Sequence, residues 1–158
     1  MTTFTPTATP TPAAEPFWFL GGQARILIPG TATNGAITVM EFTDPENHAP
    51  PLHVHDGEDE VWTVLDGEIS FFVGDHRYDL TPGEVAFGPR SVPHAYLVRS
   101  ASARFAVTFA PAGIENWFAE NSAPVLAGEN VPAPFDIGSI VAAAEAYQLR
   151  VAGPPPTP

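Results

Sequence analysis

Residues 50–67 read Pro50-Pro-Leu-His53-Val-His55-Asp-Gly-Glu-Asp-Glu60-Val-Trp-Thr-Val-Leu65-Asp-Gly67. Successive side chains of a β-strand face opposite ways, so residues i and i+2 share a face. His53 and His55 therefore point the same way. Asp56-Gly57 can reverse the chain, because glycine accepts a positive φ and aspartate caps its own turn. The returning strand then brings Glu60 opposite the histidine pair. Two imidazoles and one carboxylate on one face make a metal site or a proton-transfer site.

The pattern around this stretch is all-β. Strands are expected over Arg25–Ile28, Ile37–Phe42, His53–His55, Glu60–Leu65, Glu68–Val73, His76–Leu80, Val85–Phe87, His94–Val98 and Arg104–Phe109. Asn34-Gly35, Asp66-Gly67, Gly74-Asp75, Pro82-Gly83 and the Gly88-Pro89 and Val92-Pro93 corner separate them. Short strands punctuated this way indicate an antiparallel sandwich or barrel rather than βαβ units. Ile114, Trp117 and Phe118 have helical spacing. Asp136 can cap a helix over 137–149, with Ile140, Val141, Ala144 and Tyr147 as its apolar stripe. The expected division is a disordered Thr/Pro/Ala-rich arm over 1–15, a barrel over 16–120, and a linker, helix and Pro-rich tail over 121–158.

Composition narrows the chemistry. The 158 residues suit one domain with a real core, and 44% of them are hydrophobic. The net charge of -12 argues against nucleic acid and anionic membrane surfaces. All six basic residues are arginine, so a lysine Schiff base is excluded. No cysteine occurs, which excludes thiolate catalysis, disulfides and iron–sulfur clusters. The first 15 residues lack the basic and apolar regions of a signal peptide, and no window has the apolar length of a membrane span. A cytoplasmic location is expected.

The partner missing from the first stretch is His94, which follows a proline corner. The spacing His53-x-His55, four residues, Glu60, six residues, Gly67 resembles the first motif of the cupin superfamily. Gly83, five residues, Pro89, then His94 resembles its second motif. Ser91 stands where the motif usually has glycine, and Val98 where it usually has asparagine. The resemblance implies a double-stranded β-helix, or jelly-roll barrel, with short C-terminal helices. It implies one divalent ion (Fe, Mn, Ni, Co, Cu or Zn) on His53, His55, Glu60 and His94. It extends from Phe17 to about Phe118, toward single-domain cupins resembling quercetin 2,3-dioxygenase, and implies a homodimer. The apolar block Phe17-Trp-Phe-Leu20 adds a physical cue for a partner surface.

Three histidines and one glutamate leave one or two open positions on a five- or six-coordinate ion. Trp62 and Val64 share strand parity with Glu60, and Tyr96 and Val98 share it with His94. With Phe87 and Phe109 they are the expected pocket wall for a small organic substrate, with dioxygen as co-substrate. Glu60 is also a candidate base, and the Tyr96 hydroxyl a candidate hydrogen-bond partner for substrate or oxygen. Glu58 and Asp59 read as a solvated charge run, and His48 and His76 as surface residues, His48 near the site mouth. Glu41 reads as solvent-facing, as do Arg90 and Arg99. The expected activity is oxidative cleavage of a flavonol-like, phenolic or enolizable compound. The alternatives are a non-redox isomerase, cyclase or lyase, and a non-catalytic binding protein.

Overall fold

Alternating burial along the chain sorts the strands into two antiparallel sheets that enclose one apolar core. A computed structural model describes residues 14–127 and 134–158. The arm expected over 1–15 thus lies almost wholly outside the described residues, as does part of the linker. The strands are β1 (Phe17–Phe19), β2 (Gly22–Ile28), β3 (Thr38–Pro45), β4 (Leu52–His55), β5 (Asp59–Asp66) and β6 (Ile69–Val73). They continue as β7 (His76–Leu80), β8 (Val85–Gly88), β9 (His94–Val98), β10 (Ser102–Ala110), β11 (Ala123–Pro124) and β12 (Leu149–Gly153). One sheet has the order β11-β1-β2-β3-β10-β5-β8, and the other β12-β4-β9-β6-β7. This is the double-stranded β-helix. None of the helices described is long and apolar enough to cross a membrane.

Parity is clearest on β10, where Ala103, Phe105, Val107 and Phe109 are buried and face inward. Their neighbours across the sheet, Phe42 and Val64 beside Phe105 and Met40 and Trp62 beside Val107, share that face. The aromatic rings interlock: Phe42 stacks on Phe105 at 5.5 Å, and Trp62 on Phe71 at 5.0 Å. Each fully buried side chain of this size is worth about 1.5–3 kcal/mol in transfer alone.

Four expectations are corrected. The turn at Asp56-Gly57 does not close a hairpin: β4 and β5 lie in different sheets, and the turn carries the chain across the barrel. The block Phe17–Leu20 is not a free surface, because β1 pairs with β2 and Trp18 and Phe19 are buried within the chain. That removes the physical cue for a homodimer. The C-terminal helix α2 spans Ile137–Ala144, capped by Asp136 as expected, but does not reach residue 149. Gln148 takes a left-handed conformation (φ 57°), and Leu149–Gly153 becomes β12 on the edge of β4. A strand there satisfies the backbone groups of β4, an edge that the helix would have left unpaired. Val141 on the expected stripe is exposed, while Ile140 and Ala144 are buried.

Two turns need their backbone geometry. Gly67, between β5 and β6, has φ 80°, and a Cβ there would lie 2.8 Å from Ala103 Cα and overlap Ser102 O. Ser91, the departure from the second motif, also has a positive φ of 62°. Its N–H donates to His55 O at 2.7 Å, so the strained residue anchors the histidine strand. Glycine adopts this conformation without the Cβ penalty. Ser91→Gly keeps the backbone bond and should raise stability by roughly 0.5–1 kcal/mol in chemical denaturation.

Candidate metal centre

His53 and His55 project from β4 into the barrel, and His53 pairs in register with His94 on β9. Glu60 enters from β5 in the opposite sheet. The four side chains each offer an atom within 4.8 Å of the other three. Donors on opposite sides of one ion, at bonds of ~2.1 Å, stand ~4.2 Å apart, so sub-ångström adjustments close the cluster. His55, Glu60 and His94 are buried and His53 is half-buried.

The outer nitrogens of the three imidazoles are all held. His53 Nδ1 bonds Pro51 O at 2.7 Å, and His94 Nδ1 bonds Val92 O at 2.9 Å. A carbonyl only accepts, so both rings carry their proton on Nδ1 and present an Nε2 lone pair inward. His94 Nε2 is buried and has no hydrogen-bond partner. An inward lone pair left orphaned beside a carboxylate is what an ion would satisfy. The residues therefore fit a divalent metal with nitrogen and oxygen preference.

His55 lies between two carboxylates, with Nδ1 2.7 Å from Glu58 and Nε2 2.8 Å from Glu60. Burial by itself lowers its pKa, but the Glu60 charge and the bonds to Glu58 and Glu60 outweigh burial and raise it to about 9. His53 moves to about 3, pushed down by burial and then by His94 and His55. Burial alone would raise Glu60, yet its imidazole neighbours, His55 first and then His94, hold it well below the usual carboxylate range. Without an ion the cluster thus stores a proton on His55 and a negative charge on Glu60.

Glu58 is a correction to the sequence reading. It is buried, not solvated, and it orients His55. Only the acidic run's position directly after a histidine hinted at this. Glu58→Gln should weaken metal affinity by about 10–100-fold in competition with a chromophoric chelator, with the fold retained. Asp59, by contrast, is bound by Arg90 near the surface at 2.9 Å.

The cluster opens into a cavity of about 650 Å³. Of the expected wall residues, Trp62, Tyr96 and Phe109 line it. Val64 and Val98 do not: they face inward but are fully buried in the packed core, Val98 in register with Ile69. Phe87 is on the outer face of β8 and 57% exposed. The parity of β8 is set by Gly88, whose Cα lies against the Trp62 indole where a Cβ would collide. Residues missed from sequence complete the wall: Phe19, Phe42, Phe105, Trp117 and Phe118, with Ile140, Ala144 and Leu149 from the C-terminal segment. Glu41 is buried rather than solvated, between Arg25 at 2.6 Å and Arg104 at 3.2 Å and away from the cavity.

The Tyr96 hydroxyl does not point at the cluster. It donates to Asp44 Oδ2 at 2.7 Å. Burial, and then the Asp44 carboxylate, push its pKa well above the usual value, so it remains a phenol. Asp44 is buried at the end of β3, two residues beyond the strand expected from sequence. His48, the candidate for the mouth, lines the same cavity with Nδ1 3.2 Å from Asp44 Oδ1.

Comparison with known proteins agrees with this geometry. Residues 40–109 match the family described as the cupin domain. The chain is 30% identical over 86 residues to quercetin 2,3-dioxygenase of Bacillus subtilis (strain 168). That match covers 54% of this chain and 26% of the relative, so the chain spans about a quarter of the relative's length. Among solved structures, KdgF from Halomonas sp. superposes with a TM-score of 0.57 at 15% identity, over 63% of this chain and 89% of that one. An RmlC-like cupin from Shewanella frigidimarina NCIMB 400 gives 0.55 at 20% identity, over 63% and 86%. The barrel, the two motifs and the match agree: residues 40–109 correspond to a cupin domain, set in a cupin-like double-stranded β-helix.

Proposed function

We propose that this protein is a metal-dependent enzyme, a dioxygenase that oxidatively cleaves a small flavonol-like, phenolic or enolizable substrate. The observation that carries the reading is the convergence of three imidazole nitrogens and Glu60 at one wall of an aromatic-lined cavity. The cavity volume, about 650 Å³, lies in the range of small-molecule sites. The partial similarity to quercetin 2,3-dioxygenase supports the substrate class.

His53, His55, Glu60 and His94 would hold the ion. A divalent transition metal supplies Lewis acidity there and, where redox-active, a path for electrons between substrate and dioxygen. Glu60, kept ionised by its imidazole neighbours, accepts the proton of the substrate hydroxyl. Trp62 and Phe109 flank the cluster, with the Trp62 ring 5.2 Å from His94 and the Phe109 ring 6.0 Å from His55. They exclude water and orient a planar ring.

Oxygen uptake with a panel of flavonols and phenols, after reconstitution with each candidate metal, tests this. Uptake should appear with at least one metal and vanish with a chelator or in His55→Ala. Absence of uptake with every metal would overturn the dioxygenase reading. Turnover under strict anaerobiosis would instead assign the site to an isomerase, cyclase or lyase, and tight binding without turnover to a binding protein. A homodimer also belongs to the proposal, now resting on Val85 and Phe87, exposed on the edge strand β8. A monomeric mass by light scattering would remove it.

A further inference from the structure

The cavity has a second polar pole. Asp44 is 2% exposed, yet no arginine meets it. Its carboxylate receives the Tyr96 hydroxyl at 2.7 Å, and His48 Nδ1 lies 3.2 Å away without a hydrogen bond. The position is closely built: the bare Cα of Gly22 packs against Asp44 Oδ1, and a Cβ there would collide with it. Tyr96 follows His94 by two residues on the same face of β9, about 7 Å along the strand. Both poles line one cavity.

The pole's chemistry is one-sided. Tyr96 donates to Asp44, which leaves its oxygen free to accept, and the carboxylate has lone pairs to spare. A ligand group that meets these two oxygens must be a donor. Anions are disfavoured at this pole. None of the six arginines lines it, and the chain has no lysine. Among the described lining residues the acidic groups are Asp44, Glu46 and Glu60; the protonated His55 lies against Glu60 in the metal cluster and not at Asp44. In a poorly solvated space a like charge is repelled strongly.

We propose that Asp44, held by Tyr96 with His48 beside it, is a selectivity element. It admits an aromatic substrate that bears a hydroxyl or amine donor at its distal end and rejects one that bears an anionic group there. The proposal rests on the small-molecule reading of the cavity but not on any oxygen chemistry. It excludes phosphorylated, sulfated and carboxylated compounds, unless their one anionic oxygen meets the metal cluster. Asp44 and Tyr96 are specificity residues here, not catalytic ones.

The test is binding of 4-phenylphenol, biphenyl and biphenyl-4-carboxylate to the full chain, metal-free and zinc-loaded. Fluorescence of Trp62 and Trp117, both in the cavity wall, is the readout. Metal-free protein should bind 4-phenylphenol about 5–10-fold more tightly than biphenyl, the effect of one hydrogen bond to a charged acceptor. It should bind biphenyl-4-carboxylate at least about 30-fold more weakly than 4-phenylphenol. In Asp44→Asn the hydroxyl preference should shrink and carboxylate binding should rise several-fold, an opposite movement that a merely structural role would not produce. Tyr96→Phe, which leaves the Asp44 charge in place, should keep the rejection of the carboxylate. Equal binding of the three probes, stronger binding of the carboxylate, or no binding of any probe would overturn the proposal. The dioxygenase reading stands or falls separately, on oxygen uptake.

Discussion

His94→Ala should lower divalent-metal affinity by more than the ~100-fold typical of losing a group that orients a ligand, because it removes a ligand itself. The metal-free protein should change far less. His94 Nε2 has no hydrogen-bond partner, so truncation deletes an unsatisfied buried atom, which partly offsets the lost packing and the lost bond to Val92 O. The separation is measurable in thermal melts. Added metal should raise the wild-type Tm with its concentration, because an ion that binds only the folded state stabilises it by mass action. The variant should show no such shift at the same concentrations.

Uptake in the wild type should also release protons. His55 has its pKa raised to about 9 in the metal-free cluster, so at neutral pH it carries a proton that the ion must displace. Metal affinity should therefore fall by about tenfold for each unit of pH lowered below 9, down to the range where other ligands protonate. Calorimetry in buffers of different ionisation enthalpy should count about one proton per ion at pH 7. A pH-independent affinity between 6 and 8 would contradict the His55 assignment.

Gly67→Ala should cost about 2–5 kcal/mol, from a left-handed backbone forced on alanine and from overlap with packed main chain. Gly83→Ala is the matched control. Gly83 also has a positive φ, 91°, but no atom lies within 4 Å of its added Cβ. It should lose only the conformational part, about 1–2 kcal/mol. The difference between the two, read from urea midpoints at constant m-value, isolates the contact with Ser102 and Ala103. Equal losses would show that the β5–β6 turn relaxes away from β10.

The spacing of glycines, prolines and alternating apolar residues carried most of the barrel, because strand parity and turn geometry are local properties of the chain. The four-residue cluster was legible for the same reason: two strand motifs each place their ligands by parity. What failed was not local. Phe87 faces outward because Gly88 must lie under Trp62, a residue three turns of chain away. Glu58 reads as an ordinary acidic surface residue and Asp44 gives no signal in sequence; tertiary contacts with His55 and Tyr96 hold them in the interior. The β12 strand followed a helical pattern in sequence. The unpaired edge of β4, almost a hundred residues earlier, decided its conformation.

All four candidate ligands fall within residues 40–109, the part shared with the wider family. Much of the cavity wall does not: Phe19, Trp117, Phe118, Ile140, Ala144 and Leu149 come from chain before and after it. The candidate ligands are thus confined to one stretch of the gene, whereas the chamber beside them is built from that stretch and its flanks together. Substitutions in the flanks can reshape the chamber while leaving the four candidate ligands at its floor untouched. Libraries confined to 114–118 and 135–151 are accordingly the economical route to new substrate scope.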